Sequence, residues 1–289
     1  MNDLLTGPSR AERLSSPVRS AYRAVLYLSA TALGFPFQAL ALLLGTRMTR
    51  WIPQLYHRVC ARIFGFDIRV HGQQSATRPT LFVANHVSYS DIVVLGSLIE
   101  GSFIAKAEVA DWPFFGTLSR MARTVFVARR GPRAAEQRDE IAARLAEKDN
   151  LILFPEGTSN DGLHVLPFKS ALFSVAEATP DHAPLTVQPV SIAYTRLDGI
   201  PLNRSLRPHF AWYGDMSLLP HLLTLLGFRR PTVQVVFHPP IPAGSYASRK
   251  ELAERCRKLV VEGVNAANRG EYDDKTETVL PALPAVSLS

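Results

Sequence analysis

Between Ala24 and Gly45 the chain runs for 22 residues without a charge, AVLYLSATALGFPFQALALLLG. A run of about 20 apolar residues is what the hydrocarbon of a bilayer demands, whereas apolar stretches of about 10–14 suffice for a buried core helix. The run therefore predicts a membrane segment. It does not read as a secretory signal, because its leader is long and basic and no small-residue cleavage site follows before Arg47. Charge gathers around it: residues 1–70 hold nine Arg, no Lys and three acids, which supplies six of the chain's net +7. That position points to anionic lipid headgroups and away from nucleic acid, for which a basic face interleaved with aromatics would be expected. Gly34-Phe35-Pro36 at the middle predicts a break, since proline removes a helical hydrogen bond. Arg residues flank both sides in similar number, so the positive-inside rule sets no orientation. These two facts predict helix–break–helix, entering and leaving one leaflet; a single tilted span is the alternative. Trp51–Phe64 follows, with apolar residues at 52, 55, 56, 59, 60, 63 and 64. That spacing predicts a helix, either lying in the interface or packed on the domain.

From Phe66 the pattern changes to short β-rich runs alternating with helical segments. Strands are predicted over Phe66–Val70, Thr80–Ala84, Ser102–Ala105, Thr124–Val127, Leu151–Phe154, Val187–Ala193, His209–Tyr213 and Val233–Phe237. Helices are predicted over Asp91–Leu98, Pro113–Arg120, Pro132–Glu147, Lys169–Thr179, Leu218–Leu226 and Arg249–Asn268. Such alternation predicts an α/β fold: a mostly parallel sheet flanked by helices, preceded by the hydrophobic membrane-anchoring segment. The organisation reads as a basic leader (1–23), an anchoring helical segment (24–64), an α/β domain (65–270) and a flexible tail (271–289). Cys60 and Cys256 give neither a disulfide framework nor a metal-binding spacing.

Dinucleotide, P-loop, nucleophile-elbow and zincin motifs are all missing from the sequence. Two other elements carry chemistry. After the strand Thr80–Ala84 comes Asn85-His86-Val87-Ser88-Tyr89-Ser90-Asp91. On a continuous helix a spacing of five sets His86 and Asp91 roughly 140° apart. They meet only if His86 lies in the strand-to-helix loop and Asp91 in the first helical turn, the arrangement of a general base oriented by a carboxylate. After the strand Leu151–Phe154 comes Pro155-Glu156-Gly157-Thr158, at the carboxyl edge where open α/β sheets place their sites.

Together these elements resemble the glycerolipid acyltransferase family, the group that includes 1-acylglycerol-3-phosphate acyltransferases. The family's N-H-x-x-x-x-D block matches Asn85, His86 and Asp91. Its second block matches Lys106-Ala107-Glu108, Pro113, Gly116 and Val125-Phe126-Val127-Ala128-Arg129. F-P-E-G-T is intact at 154–158, and V-x-P-V matches Val187-Gln188-Pro189-Val190. The resemblance covers roughly residues 55–245. It implies transfer of a fatty acyl group from acyl carrier protein or coenzyme A to a lysolipid hydroxyl. His86 would be the base and Asp91 its orienter; Arg129, Glu156, Gly157, Thr158 and Lys106 would bind substrate. No metal or cofactor is implied beyond the thioester co-substrate. The location implied is the cell inner membrane, with the catalytic domain on the cytoplasmic side, and the acceptor implied first is 1-acylglycerol-3-phosphate. Ser159 departs from the family's usual Arg, which removes one phosphate ligand. The segment Arg207–Met216 is similar to a bacterial branch that includes lyso-ornithine lipid acyltransferases, which supplies the alternative acceptor. Two readings of other classes are a metal-dependent hydrolase with His86, Asp91, Glu156 and His164 as ligands, and a non-catalytic lipid-binding protein.

Overall fold

The computed structural model describes residues 14–127, 134–177 and 185–273. Its strands are β1 (Asp67–His71), β2 (Thr80–Ala84), β3 (Ser102–Lys106), β4 (Val125–Val127), β5 (Leu151–Leu153), β6 (Thr186–Leu197), β7 (Ile200–Pro201), β8 (Pro231–Phe237) and β9 (Ile241–Pro242). Its α-helices are α1 (Pro17–Leu43), α2 (Met48–Phe64), α3 (Ser90–Leu98), α4 (Phe115–Met121), α5 (Ala134–Ala146), α6 (Leu218–Gly227) and α7 (Arg249–Asn268). The strands form one sheet in the order β1-β8-β6-β2-β5-β3-β4, with β7 and β9 paired to β6. Pairing is parallel from β6 through β2, β5 and β3 to β4, and antiparallel between β6 and β8.

Alternation along β2 divides the core. Phe82 and Ala84 join the cluster built with Tyr27 of α1, Phe64 of α2, Leu95 of α3 and Leu225 of α6. Leu81 and Val83 join the opposite cluster, with Ile141 of α5 and Cys256 of α7. Central strands buried on both faces are what covered parallel sheets require.

Three expectations need correction. Residues 207–213 form no strand: Arg207–His209 is a short 3-10 turn, and the Trp212 N–H is spent on the Val87 carbonyl across the site loops. Lys169–Thr179 is a 3-10 segment over Ser170–Glu177, and residues 178 and 179 lie outside the described residues. The chain does not break at Gly34–Pro36. Helix α1 continues unbroken across both residues, and the chain turns only after Leu43. Pro36 lacks only one ladder hydrogen bond, and an apolar setting that offers no competing water favours keeping the rest. Of the tail, residues 274–289 lie outside the described residues.

Helix α1 starts at Pro17, inside what reads as the basic leader, and its 27 residues span about 40 Å. Its polarity is inverted relative to a helix on a water-soluble domain. The inward stripe is Ser20, Tyr27, Thr31, Gln38 and Ala41. Its polar members hydrogen-bond to the domain: Ser20 Oγ to the Leu223 carbonyl at 2.7 Å, Thr31 Oγ1 with Tyr56 Oη at 2.8 Å, and Gln38 Nε2 to the Met121 carbonyl at 2.7 Å. The outward face is Val25, Leu28, Leu33, Phe37, Leu40 and Leu43, exposed by 54–84%. An apolar exterior over a polar seam suits hydrocarbon solvent, where inter-element hydrogen bonds hold helices together and apolar faces meet lipid. This one apolar helix fits a membrane anchor.

The arginines read as headgroup ligands are largely used inside the protein. Arg23 donates to the carbonyls of Phe64, Leu226 and Phe228, closing the C-terminal ends of α2 and α6 together. Arg19 bonds the Gly227 carbonyl at 2.9 Å, and Arg58 bonds the Ser97 carbonyl at the end of α3 at 3.0 Å. Arg50 pairs with buried Asp149 at 2.9 Å. Helix C-termini carry unsatisfied carbonyls and negative partial charge, which guanidinium groups complement.

Candidate active site

Strand β2 ends where Asn85 turns its side chain into a substitute for the ladder. Its Nδ2 donates to the Ile192 carbonyl and its Oδ1 accepts from the Ile192 N–H, both at 2.9 Å. The backbone is thereby freed to leave the sheet while β6 runs on. His86 lies in the loop so formed, and Asp91 in the first turn of α3, as the spacing requires. His86 Nδ1 stands 2.9 Å from Asp91 Oδ2. The same oxygen accepts the N–H groups of Val87 and Ser88, at 2.6 and 2.9 Å. Asp91 is fully buried. Its Oδ1 accepts from Tyr194 Oη at 3.0 Å, and Tyr194 Oη accepts in turn from Ser90 Oγ at 2.6 Å. With every contact a donor, the Asp91 carboxyl acts only as acceptor, so Nδ1 of His86 carries the proton. Among the described residues Nε2 has no hydrogen-bond partner. The ring stacks on Phe154, centroids 4.1 Å apart and 15° from coplanar.

The second motif braces the first. Glu156 is buried, and its Oε1 accepts the His86 N–H at 2.8 Å. Its Oε2 accepts from Asn160 Nδ2 at 2.7 Å and from the Leu166 N–H at 2.9 Å. Burial pushes the Glu156 carboxyl up from its ordinary range, while the His86 amide, Asn160 and the Leu166 amide oppose that shift. Glu156, which the resemblance gives to substrate binding, ties the loops after β2 and β5 together with both oxygens. Gly157 adopts φ +66°, and a Cβ built there would come 2.7 Å from Lys169 Nζ. Lys169 thus lies against the F-P-E-G-T turn. Thr158 is exposed beside it. Lys106 ends β3 at the same carboxyl edge, half-buried, and no ion pair joins it to Glu108. Arg129 lies outside the described residues. His164 is two-thirds exposed and only 3.7 Å from Asp161. The ligand set that a metal-dependent reading needs is not assembled: among the described residues no three His, Cys, Asp or Glu side chains group to hold an ion.

Ser159, at the position of the family's usual Arg, donates its hydroxyl to the Trp212 carbonyl. The Trp212 N–H bonds Val87 O, and the Asn160 N–H bonds His86 O at 3.1 Å. Loops 85–91, 156–162 and 210–213 are therefore one stitched unit.

A family profile described as Acyltransferase matches residues 67–193. A lyso-ornithine lipid O-acyltransferase of Brucella abortus is 47% identical over 230 residues, covering 78% of this chain and 86% of that protein. One of Rhizobium meliloti is 36% identical over 277 residues, covering 93% and 95%. The chain belongs to the lysolipid acyltransferase family. A 1-acyl-sn-glycerol-3-phosphate acyltransferase of Neisseria gonorrhoeae shares 32% identity over 192 residues, 65% of this chain and 71% of that protein. The acyltransferase also shares its fold with the crystal structure of the 1-acyl-sn-glycerophosphate acyltransferase PlsC of Thermotoga maritima, at TM-score 0.60 and 22% identity, over 87% of this chain and 94% of that one.

Sequence reading of this acyltransferase missed Tyr194. The strand was expected to end at Ala193, but β6 continues to Leu197. Inward positions 190, 192 and 194 then share one face, and the third reaches Asp91. Phe154 was read as a strand end, with no signal that its ring would lie flat under His86.

Proposed function

We propose that this acyltransferase moves a fatty acyl group from acyl carrier protein or coenzyme A to the hydroxyl of a lyso-ornithine lipid, at one leaflet of the cell inner membrane with the catalytic domain on the cytoplasmic side. The observation carrying the chemistry is the His86–Asp91 pair, with Nδ1 engaged and Nε2 open at the carboxyl edge of the sheet. His86 Nε2 takes the acceptor's hydroxyl proton as its oxygen bonds the thioester carbonyl carbon. The C–S bond then breaks, and the departing thiolate recovers the proton from His86. Asp91 steadies the imidazolium between the two steps. No covalent acyl-enzyme is required.

The acceptor differs from the glycerophosphate that the motif resemblance placed first. Relatives named for lyso-ornithine lipid share 47% and 36% identity, against 32% for the neisserial relative named for the glycerophosphate. An ornithine headgroup brings a carboxylate and an ammonium and no phosphate. It has less need of a cation at position 159, where the Ser159 hydroxyl serves the Trp212 carbonyl. Purified protein given labelled acyl donor and a panel of lysolipids tests this reading. A diacyl product from lyso-ornithine lipid supports it; product from 1-acylglycerol-3-phosphate alone sinks it.

Two variants probe the machinery. Arg129→Ala raises KM for the acceptor, through its headgroup carboxylate, more than it lowers kcat, because a headgroup contact is made alike in ground and transition states. A pure kcat defect would place Arg129 elsewhere. Tyr194→Phe removes one donor from a buried carboxylate, a hydrogen bond of the charged class worth about 1.5–3 kcal/mol, so kcat falls on the order of 10-fold to 100-fold. The carboxylate then orients the His86 ring less firmly, so kcat falls with KM for the acceptor little changed, whereas a merely structural loss would lower the melting temperature and raise KM together.

A further inference from the structure

The membrane reading assigns the bilayer contact to α1. A second exposed apolar surface lies at the site's own edge, formed by Trp112, Phe114, Tyr213, Met216, Leu219 and Leu223, each 37–64% exposed. Three observations make it more than scattered surface apolarity. First, it is fastened to the site loops. Trp212, whose backbone bonds Val87 and Ser159, packs edge-to-face on Trp112 at 5.8 Å and on Tyr89 at 6.0 Å. Its Nε1 closes the loop onto the Met216 carbonyl at 2.9 Å, and Tyr89 Oη bonds His221 Nδ1 of α6 at 2.9 Å.

Second, Phe114 is presented at a backbone cost. It holds φ +64° and ψ −55° while the Phe115 N–H bonds the Pro113 carbonyl at 2.7 Å, a tight three-residue turn that an aromatic side chain rarely occupies. The turn throws the ring outward, 45% exposed. Strain of this kind persists where the presented side chain has a use. Third, the surface is continuous with α1. Ser15 Oγ bonds the Thr224 carbonyl at 2.9 Å and Ser20 Oγ bonds the Leu223 carbonyl, which lays the start of α1 along the leucines of α6.

We propose that this rim is a second membrane-seating surface, occupied by lipid of the leaflet that α1 enters, and that it fixes the height of the catalytic loops over the bilayer. The proposal rests on the membrane reading of α1. Trp and Tyr with leucines behind them form the composition that settles at a headgroup boundary, and Asp111 and Asp215 fringe the patch where water would begin.

Site-specific labelling separates the two contacts. Cys60 and Cys256 are both fully buried, so a surface cysteine takes the probe. Leu28→Cys on α1, Phe114→Cys and Leu219→Cys on the rim are each labelled with an environment-sensitive fluorophore. The full chain is then bound to phosphatidylethanolamine–phosphatidylglycerol vesicles that carry an acyl-chain nitroxide. Quenching at all three positions is expected. Quenching at 28 without 114 and 219 overturns the rim and leaves α1 standing; quenching at none overturns both. As a functional arm, Leu219→Glu with Leu223→Glu lowers the rate on a bilayer-embedded acceptor by roughly tenfold or more and leaves a short-chain soluble acceptor within about twofold. An equal fall with both acceptors, or a raised KM for the carrier-protein donor alone, counts against lipid as the occupant.

Discussion

Replacing His86 with alanine lowers acyl transfer on the order of 10⁴-fold or more, because the variant has no group at Nε2 to take the hydroxyl proton. The fold and the membrane association survive. His86 is bonded to Glu156 through its backbone N–H, which alanine keeps, and its ring is partly exposed over Phe154. The comparison with Asp91 is informative. Asp91→Ala leaves the amides of Val87 and Ser88 and the Tyr194 hydroxyl without their acceptor. Each buried group left unpaired costs about 1–3 kcal/mol, so this variant loses structure as well as rate. Asp91→Asn keeps the shape and loses the charge, and its rate should fall about 10²–10⁴-fold. Single-turnover transfer of labelled acyl chain, read beside a thermal melt in detergent, measures both. Near wild-type turnover in a folded His86→Ala protein removes the histidine from the mechanism.

Charging the outward face of α1 has the second large effect. Leu28, Leu33 and Phe37 make no part of the inward seam and are 56–69% exposed. Fully burying such a side chain is worth roughly 1.5–3 kcal/mol, so replacing all three with Glu should weaken vesicle partition by about a thousandfold or more. Acylation of a long-chain lysolipid in bilayers falls with it, since each CH₂ drawn into water costs about 0.8 kcal/mol. A short-chain soluble acceptor reports that the site is intact. Deleting residues 1–50 would be the blunter test, because it also removes Tyr27 from the core and Arg23 from two helix ends. A triple variant that still sediments with vesicles would place this face against protein.

Much of this was legible because the code was local. The strand–loop–helix around His86 and Asp91 follows from one spacing and two flanking periodicities, and Thr80–Ala84 and Arg249–Asn268 were read to the residue. Local reading failed where the deciding partner is distant in the chain. Arg19, Arg23 and Arg58 read as surface charge, but their partners are helix-end carbonyls. Nothing local marks those groups as neighbours. Glu156 reads as a ligand because it sits in a motif, and only the folded chain brings its three donors together. Pro36 reads as a break from propensity alone, and the continuous helix follows the packing of α1 against α2 and α6.

The guanidinium of Arg23 has a wider consequence. It holds α1 while capping α2 and α6, so the helix that fits a membrane anchor is also a keystone of the catalytic domain. Pulling α1 away would therefore leave the ends of two domain helices uncapped, so a released catalytic domain is expected to melt at lower temperature than the full chain. With the outward face of α1 seated in hydrocarbon, washing membranes with high salt should release none of the protein.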